Sequence, residues 1–237
     1  MRMVHYQVYN TRQGRRKRFW MLTMGSILAS LAMSFVISVV DEIPGGMADR
    51  RMSHAMKLEA VLRIPLGATP DEAVHKFWGT PWTTVIHREP VKGGMLVFIK
   101  RDFSEDSDSL RIEYVRKTWL GWKWVYGGEY SIGIDMSSKP SIAYMSMPSI
   151  IGIRSPFPML FGSIIDPSIK QVTISSSSNK DREYKAKLVN AKERQTIWLA
   201  FLPSDAAVPY EISALNTQGD LVGSQIINDS RGSGLIP

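Results

Sequence analysis

The sequence predicts an α+β protein. An N-terminal transmembrane helix precedes a small helix-plus-antiparallel-meander domain and a small all-β, sandwich-like domain. This prediction rests on an uncharged run near the N-terminus, a capped amphipathic helix, and an alternation of apolar and polar residues with period two in most of the remaining chain. The 237 residues are enough for one large or two small hydrophobic cores beyond the membrane segment.

The uncharged run covers residues 19–40, which are 22 residues in length. A helix rises about 1.5 Å per residue and a bilayer core is about 30 Å thick, so about 20 apolar residues cross it. The basic segment 1–18 precedes the run, and Asp41 and Glu42 follow it. Because basic flanks stay in the cytoplasm, we expect a single-pass protein of the cell membrane with a cytoplasmic N-terminus and extracytoplasmic C-terminal domains.

A cleaved secretory leader is the alternative interpretation of the same run. Leaders have an apolar region of about 7–15 residues and small residues before the cleavage site. Here the apolar run is longer, and the stretch "FVISVV" before Asp41 lacks the small-x-small pattern. The pattern therefore favours a retained anchor.

The net charge of +7 is concentrated at one end of the chain. Residues 1–18 hold six basic and no acidic side chains, so the remainder is close to neutral. The basic excess indicates membrane topology, and we expect no nucleic-acid partner. The absence of cysteine excludes thiol catalysis and cysteine-ligated zinc, and it is compatible with an exported protein that lacks disulfides.

Residues 41–56 contain Pro44, Gly45 and Gly46 and are predicted to form a stalk. In the predicted domain 57–148, Thr69 and Glu72 have the spacing of a capping box, and Gly79 is placed to end the helix. Strand-like segments separated by short turns follow, which favours antiparallel neighbours with the helix across one face of the sheet.

Three prolines, Pro148, Pro156 and Pro158, mark a predicted linker at residues 149–157. Beyond it, short strand-like segments at turn-punctuated intervals predict a β-sandwich-like domain at residues 158–228. The polar segment 229–237 is expected to be a flexible tail.

The segment "WLGWKWVYGGEY" is predicted to form a β-hairpin that is crowded with aromatic residues. Strand alternation predicts that Trp122, Trp124 and Tyr126 share one face and that Lys123 takes the other. The favoured interpretation is a core position, in which Trp124 packs against Phe77 of the predicted helix, because large aromatic side chains dominate small cores. The alternative is a ligand-binding face on which the three rings stack against sugars of the cell wall.

The histidines His5, His54, His75 and His87 form no metal-binding or catalytic motif, although His75 and His87 could approach each other. The loop "DFSEDSDS" clusters carboxylates but lacks the spacing of a calcium loop, so a solvated hairpin loop is expected. Gly127 and Gly128 are interpreted as turn residues. No catalytic residue, metal site or cofactor is predicted.

Four stretches carry a resemblance to a known group of proteins: "TPDEAVHKF", "LVFIKRDF", "WLGWKWVYGGEYS" and "FPMLFGSIIDPSIKQVTI". In this order, over roughly residues 69–222, they resemble an uncharacterised family of single-pass membrane-anchored proteins of Bacillus-like and Paenibacillus-like Gram-positive bacteria. The resemblance implies a location in the cell envelope. It brings no catalytic residues with it.

Together these patterns favour a membrane-anchored extracytoplasmic binding or sensory module without catalytic activity. Its partner would be an envelope protein or cell-wall glycan. The alternative is an extracytoplasmic, hydrolase-like enzyme whose site is not recognisable from sequence. Paired nucleophile and base residues and metal-ligand spacings are absent from the sequence, which favours the first hypothesis.

Overall fold

The computed structural model describes residues 4–79, 84–100, 107–133, 140–176, 179–192 and 195–237, with side chains from residue 19 onward except at 107, 108 and 179–181. The fold class is α+β with antiparallel sheets, as predicted. The helices are α1 (Val4–Glu42), α2 (Met47–Ala55) and α3 (Pro70–Trp78).

The first sheet has the strand order β1-β5-β4-β3-β2, and all neighbours are antiparallel. Its longest pairing joins β4 and β5, which are connected by a tight turn at residues 119–120. The strands of this sheet are β1 (Leu66–Gly67), β2 (Thr84–Val91), β3 (Gly94–Lys100), β4 (Ser107–Thr118) and β5 (Gly121–Gly133).

Helix α3 lies across this sheet, and its ends follow the predicted capping. The Thr69 hydroxyl accepts from the backbone N–H of Glu72 at 3.1 Å, and the Glu72 carboxylate accepts from the N–H of Ala68 at 2.7 Å. Gly79 ends the helix in the left-handed conformation at φ +65°, which glycine adopts at low cost. Val74 is buried against the sheet.

The remaining strands form a second sheet, with the order β10-β11-β7-β6-β14, and a third sheet, with the order β13-β12-β8-β9. They are β6 (Ile142–Met147), β7 (Met159–Ile164), β8 (Gln171–Ser176), β9 (Asn179–Lys185), β10 (Lys187–Asn190), β11 (Thr196–Phe201), β12 (Tyr210–Leu215), β13 (Leu221–Ile227) and β14 (Ser233–Ile236).

Two hydrophobic cores join these layers. One side of the second sheet packs on the first sheet, where the rings of Phe98 and Phe161 meet at 6.1 Å between centroids. The other side packs on the third sheet, where Trp198 and Ile212 are fully buried. The second sheet is therefore apolar on both faces and lies in the middle of a stack of α3 and three sheets.

The predicted segment boundaries differ from this arrangement. Strand β6 belongs to the second sheet, between β7 and β14, so a domain boundary at residue 148 would divide that sheet. Phe157, in the predicted linker, is buried in the first core. In place of the expected flexible tail, residues 233–236 form β14, and the backbone N–H of Ser141 donates to the carbonyl of Ile236 at 2.7 Å. This pairing covers an edge of β6 that would otherwise leave backbone groups unpaired.

The predicted stalk is also replaced by packed structure. Gly45 adopts φ +82°, and the N–H of Gly46 donates to the carbonyl of Ile43 at 2.8 Å, which closes a tight turn directly after α1. The chain then folds back as α2, whose Met52 and Ser53 are buried. Glycine adopts the conformation of Gly45 without strain, and a Cβ atom at Gly46 would lie 2.3 Å from the carbonyl oxygen of Val40, so both glycines serve this reversal of chain direction.

The C-terminal part of α1, Phe19–Glu42, is long and apolar enough to cross a membrane: it has 24 residues, and its most apolar 18-residue stretch has a mean hydropathy of 2.0. Its most apolar stretch is not buried by the rest of the protein.

Candidate functional site

A cleft of about 300 Å³ lies where α2, the β4–β5 hairpin and the segment after β6 meet. Basic side chains dominate its polar lining, and Asp49 is its single acidic member. The lining residues are Ala48, Asp49, Arg51, Met52, Ile64, Arg116, Lys123, Trp124, Val125, Gly152, Ile153 and Arg154.

The floor of the cleft is a buried ion pair between Asp49 and Lys123. Their side chains are 0% and 2% exposed, and Nζ of Lys123 lies 2.6 Å from Oδ1 of Asp49. The other carboxylate oxygen of Asp49 accepts from the N–H groups of Gly45 and Ile64, at 2.7 and 3.0 Å. Lys123 also donates to the carbonyl of Glu42 at 2.9 Å. Lys123 thus neutralises Asp49 where both side chains are buried, although the contact between Nζ and Oδ1 lacks hydrogen-bond geometry.

Two arginines of the cleft are held by the acidic end of α1. Both terminal nitrogens of Arg116 donate to the carboxylate of Glu42 at 2.7 Å, which is a bidentate pair. Arg51 donates to Asp41 at 3.0 Å. Arg154 is exposed at the rim and has no ion pair within the part of the chain that the structure describes. Among the described residues of the cleft, Arg154 is therefore the cation without an ion pair, whereas Arg51, Arg116 and Lys123 are each paired with a carboxylate.

The three aromatic residues proposed as a ligand-binding face do not share a face, and this corrects the prediction from strand alternation. The Trp124 ring stacks on Phe77 of α3, with centroids 3.9 Å apart, as expected for a core position. The Tyr126 ring meets Phe157 on the opposite side of the sheet, at 5.5 Å. Of the three, only Trp124 lines the cleft, and it is 4% exposed, so it has no open ring face on which a sugar could stack.

A β-bulge causes this reversal. Trp124 is opposite Val115 and Tyr126 is opposite Tyr114, so β5 carries Val125 as an extra residue at this point. One extra residue reverses the faces of all residues that follow it in the strand. Lys123, predicted to lie opposite the aromatic face, does so, and it is buried there against Asp49.

A second polar cluster is buried between α3 and the first sheet. Glu113 is 1% exposed and accepts from Nε1 of Trp124 at 2.5 Å. Arg111 lies 3.7 Å from Glu113 and donates through Nε to Glu129 at 2.9 Å. Burial raises the pKa of Glu113 to about 7, against the opposing effects of the Trp124 hydrogen bond and the Arg111 charge.

Gly127 makes room for this carboxylate. A Cβ atom at Gly127 would lie 1.9 Å from Oε2 of Glu113, so no larger residue fits without displacing it. Gly127 and Gly128 are therefore strand residues inside β5, and the interpretation as turn residues is wrong. Paired glycines inside an alternating strand pattern are a sequence signal for such a close approach.

His75 and His87 do not come together in one site. His75 is exposed on α3, whereas His87 lies on the opposite side of the first sheet, where its ring meets Phe98 at 5.7 Å. Nε2 of His87 is 3.1 Å from Glu89, which also binds Lys187 at 2.7 Å. Within the described ranges, no three metal-binding side chains come together. The side chain of His5 and the acidic loop at residues 102–108 lie outside the described side chains.

In chemical terms, the cleft suits an anion. Its accessible charged groups are guanidinium groups, which donate hydrogen bonds in a planar fork to carboxylates and phosphates. Its lining contains no serine, threonine, histidine or tyrosine. Comparisons of the chain with protein-family profiles, with curated proteins and with solved structures find no match.

Proposed function

We propose that the protein is a single-pass, membrane-anchored module of the cell envelope that binds an anionic partner in its juxtamembrane cleft. The observation that carries this proposal is the cleft itself, which gathers Arg51, Arg116 and Arg154 over a buried Asp49–Lys123 pair. Ligand sites are concave and contain a few convergent polar groups. This cleft has that character, and its sign of charge selects anions.

The proposed topology places residues 1–18 in the cytoplasm and the sheets outside the cell. The basic flank of α1 supports this orientation. The contacts of Glu42 with Arg116 and Lys123 support a retained anchor, because they attach the end of α1 directly to the sheet. Protease added to wall-stripped cells should remove the sheets and leave a small membrane fragment. A soluble protein that begins near Asp41 would establish a cleaved leader.

For the partner we favour an anionic glycan of the cell wall over an envelope protein. A cleft of about 300 Å³ accommodates a small charged group, whereas stable protein interfaces usually bury about 800 Å² per partner over a broader surface. An envelope protein would instead have to present a single acidic side chain to the cleft.

A charge reversal at the rim tests this assignment. We expect Arg154→Glu in the full-length, detergent-solubilised protein to lose most of its retention on purified wall material, and wild-type retention to weaken with added salt. Lys192→Glu is the matched control, because Lys192 is exposed in the β10–β11 turn and does not line the cleft. Equal retention of the two variants would refute the cleft as the binding site.

The alternative is an extracytoplasmic enzyme, and one observation favours it. Glu113 has a pKa of about 7, which suits a general acid–base near neutral pH, and it is hydrogen-bonded to Trp124 of the cleft lining. Glu113 itself does not line the cleft. Release of soluble fragments from wall material by the wild-type protein, abolished in Glu113→Gln, would favour the enzyme over the binding module.

A further inference from the structure

The hairpin tip, residues 118–121 at the turn between β4 and β5, lies beside α1. The ring of Trp119 meets the ring of Phe35 at 5.1 Å between centroids. Phe35 belongs to the uncharged run, about 7 Å before Val40 along the helix axis at about 1.5 Å per residue. A residue of the sheet region therefore contacts a part of α1 that is apolar enough to lie inside a membrane.

The hairpin runs parallel to α1 between two fixed contacts. The first contact is at Glu42, the last residue of α1. It is bound by both Arg116 and Lys123, which face each other across β4 and β5. Trp119 lies about 10 Å beyond Arg116 at about 3.3 Å per strand residue, and Phe35 lies about 10 Å before Glu42 at about 1.5 Å per helix residue. These two distances agree, so the hairpin points from the end of α1 back toward the centre of the apolar segment.

The hairpin tip has the properties of a membrane-interface segment. Trp119 remains 52% exposed despite its contact with Phe35, and indole rings prefer the headgroup region of a bilayer. The Thr118 hydroxyl accepts from the N–H of Leu120 at 3.1 Å and donates to the carbonyl of Gly121 at 2.9 Å. The N–H of Leu120 and the carbonyl of Gly121 are thus hydrogen-bonded inside the protein, which lowers the cost of placing the turn in a low-water environment.

Further apolar side chains are exposed around the same end of α1. Ile43 and Met47 are each 41% exposed, next to the tight turn that follows the helix. In water, exposed aliphatic side chains lack the hydrophobic stabilisation that burial provides. A lipid surface at this level would cover them.

We infer that the hairpin tip is embedded in the outer leaflet of the membrane that α1 crosses, with Trp119 at the lipid interface. The occupant of this surface is lipid, because the tip is continuous with the apolar face of α1 through Phe35. The cleft then lies at the level of the lipid headgroups, since Arg116 and Lys123 belong both to the cleft and to the contact with Glu42. This inference rests on the proposed membrane anchoring.

A single labelled cysteine measures the depth of each position. The chain has no cysteine, so Trp119→Cys in the full-length protein takes one environment-sensitive nitrobenzoxadiazole label. The protein is reconstituted into phosphatidylcholine–phosphatidylglycerol vesicles that contain a lipid with a quenching nitroxide near the headgroup end of its acyl chain. We expect the label at position 119 to lose most of its emission. Leu120→Cys, which retains the Trp119–Phe35 contact, should behave in the same way.

Labels at two further positions show whether a negative result concerns the hairpin tip alone or the membrane anchoring as well. Leu221, which is 59% exposed in β13 of the third sheet, is the matched control, and its label should keep its emission in Leu221→Cys. Ile27, in the middle of the apolar run, reports on anchoring through a second nitroxide lipid labelled deep in the acyl chain. Retained emission at 119 and 120 with quenching at 27 overturns the embedding of the tip alone. Retained emission at 27 as well overturns the anchoring and this inference with it.

Discussion

Glu113 gives the stability of the protein a defined dependence on pH. Its pKa is about 7 in the folded protein against an ordinary value of 4.5, because burial disfavours the charged form. Below pH 4.5 both the folded and the unfolded chain hold the proton. Between pH 4.5 and about 7 only the folded chain holds it, so the free energy of unfolding falls as the pH rises. Above about 7 the loss is complete. The difference between the two pKa values corresponds to roughly 3 kcal/mol.

Glu113→Gln removes this titration while keeping the shape of the side chain and an oxygen that accepts from Trp124. The variant should therefore lose less stability than the wild type as the pH rises through this window, by roughly 3 kcal/mol in total. The measurement is equilibrium urea unfolding of both full-length proteins in nonionic detergent, followed by tryptophan fluorescence at a series of pH values. Comparing the two proteins cancels the groups that titrate in both.

Glu183→Gln is the control, since Glu183 is exposed in β9 of the third sheet, away from this cluster. That variant should retain the wild-type loss of stability over the window. Parallel curves for wild type and Glu113→Gln from pH 4.5 to about 7 would refute the argument. They would mean that the hydrogen bond from Trp124 and the charge of Arg111 offset the burial of the carboxylate.

Three further predictions concern stability in the same urea assay. Trp124→Ala should lower the free energy of unfolding by ~3–5 kcal/mol, because the ring is buried against α3, and an unchanged midpoint would contradict that. Lys123→Ala should lower the free energy of unfolding by ~3–5 kcal/mol, because it leaves Asp49 buried without its cation. The control Lys117→Ala, at an exposed position on the same hairpin, should lower it by less than ~1 kcal/mol. Similar losses in the two variants would contradict the importance of the buried pair. Thr69→Ala should cost ~1 kcal/mol through the lost helix cap, and restoration by Thr69→Ser would separate capping from packing.

The elements that depend on neighbours along the chain were predictable from sequence. The uncharged run, the capping box at Thr69 and Glu72, and the stop at Gly79 each involve residues within one or two turns. Period-two alternation likewise indicated most strands, because it reports which residues of a strand face a core. The predicted contact between Trp124 and Phe77 followed from the same reasoning, since α3 had to cover one face of the sheet.

The cleft was beyond this reasoning because its residues come from distant parts of the chain. Asp49 and Lys123 are each unremarkable in their own segments, and the pair exists only because the turn at Gly45 folds α2 back against the hairpin. Strand alternation places Lys123 opposite Trp124, but whether that side meets water or Asp49 depends on what packs there. The burial of Glu113 could not be predicted for the same reason, although the glycine at position 127 is a local sign that another group approaches the strand closely there.

By itself, then, the sequence determined the apolar helix, the capped helix and the antiparallel α+β character, since periodicity and capping act over short distances. Tertiary structure decided which sheet β6 joins, that the chain ends in β14, and that Tyr126 faces away from Trp124. The physical reason is that strand pairing and bulges are selected by the fit between distant segments. A single extra residue, Val125, leaves the local pattern of apolar residues almost unchanged while it reverses the face on which every following side chain lies.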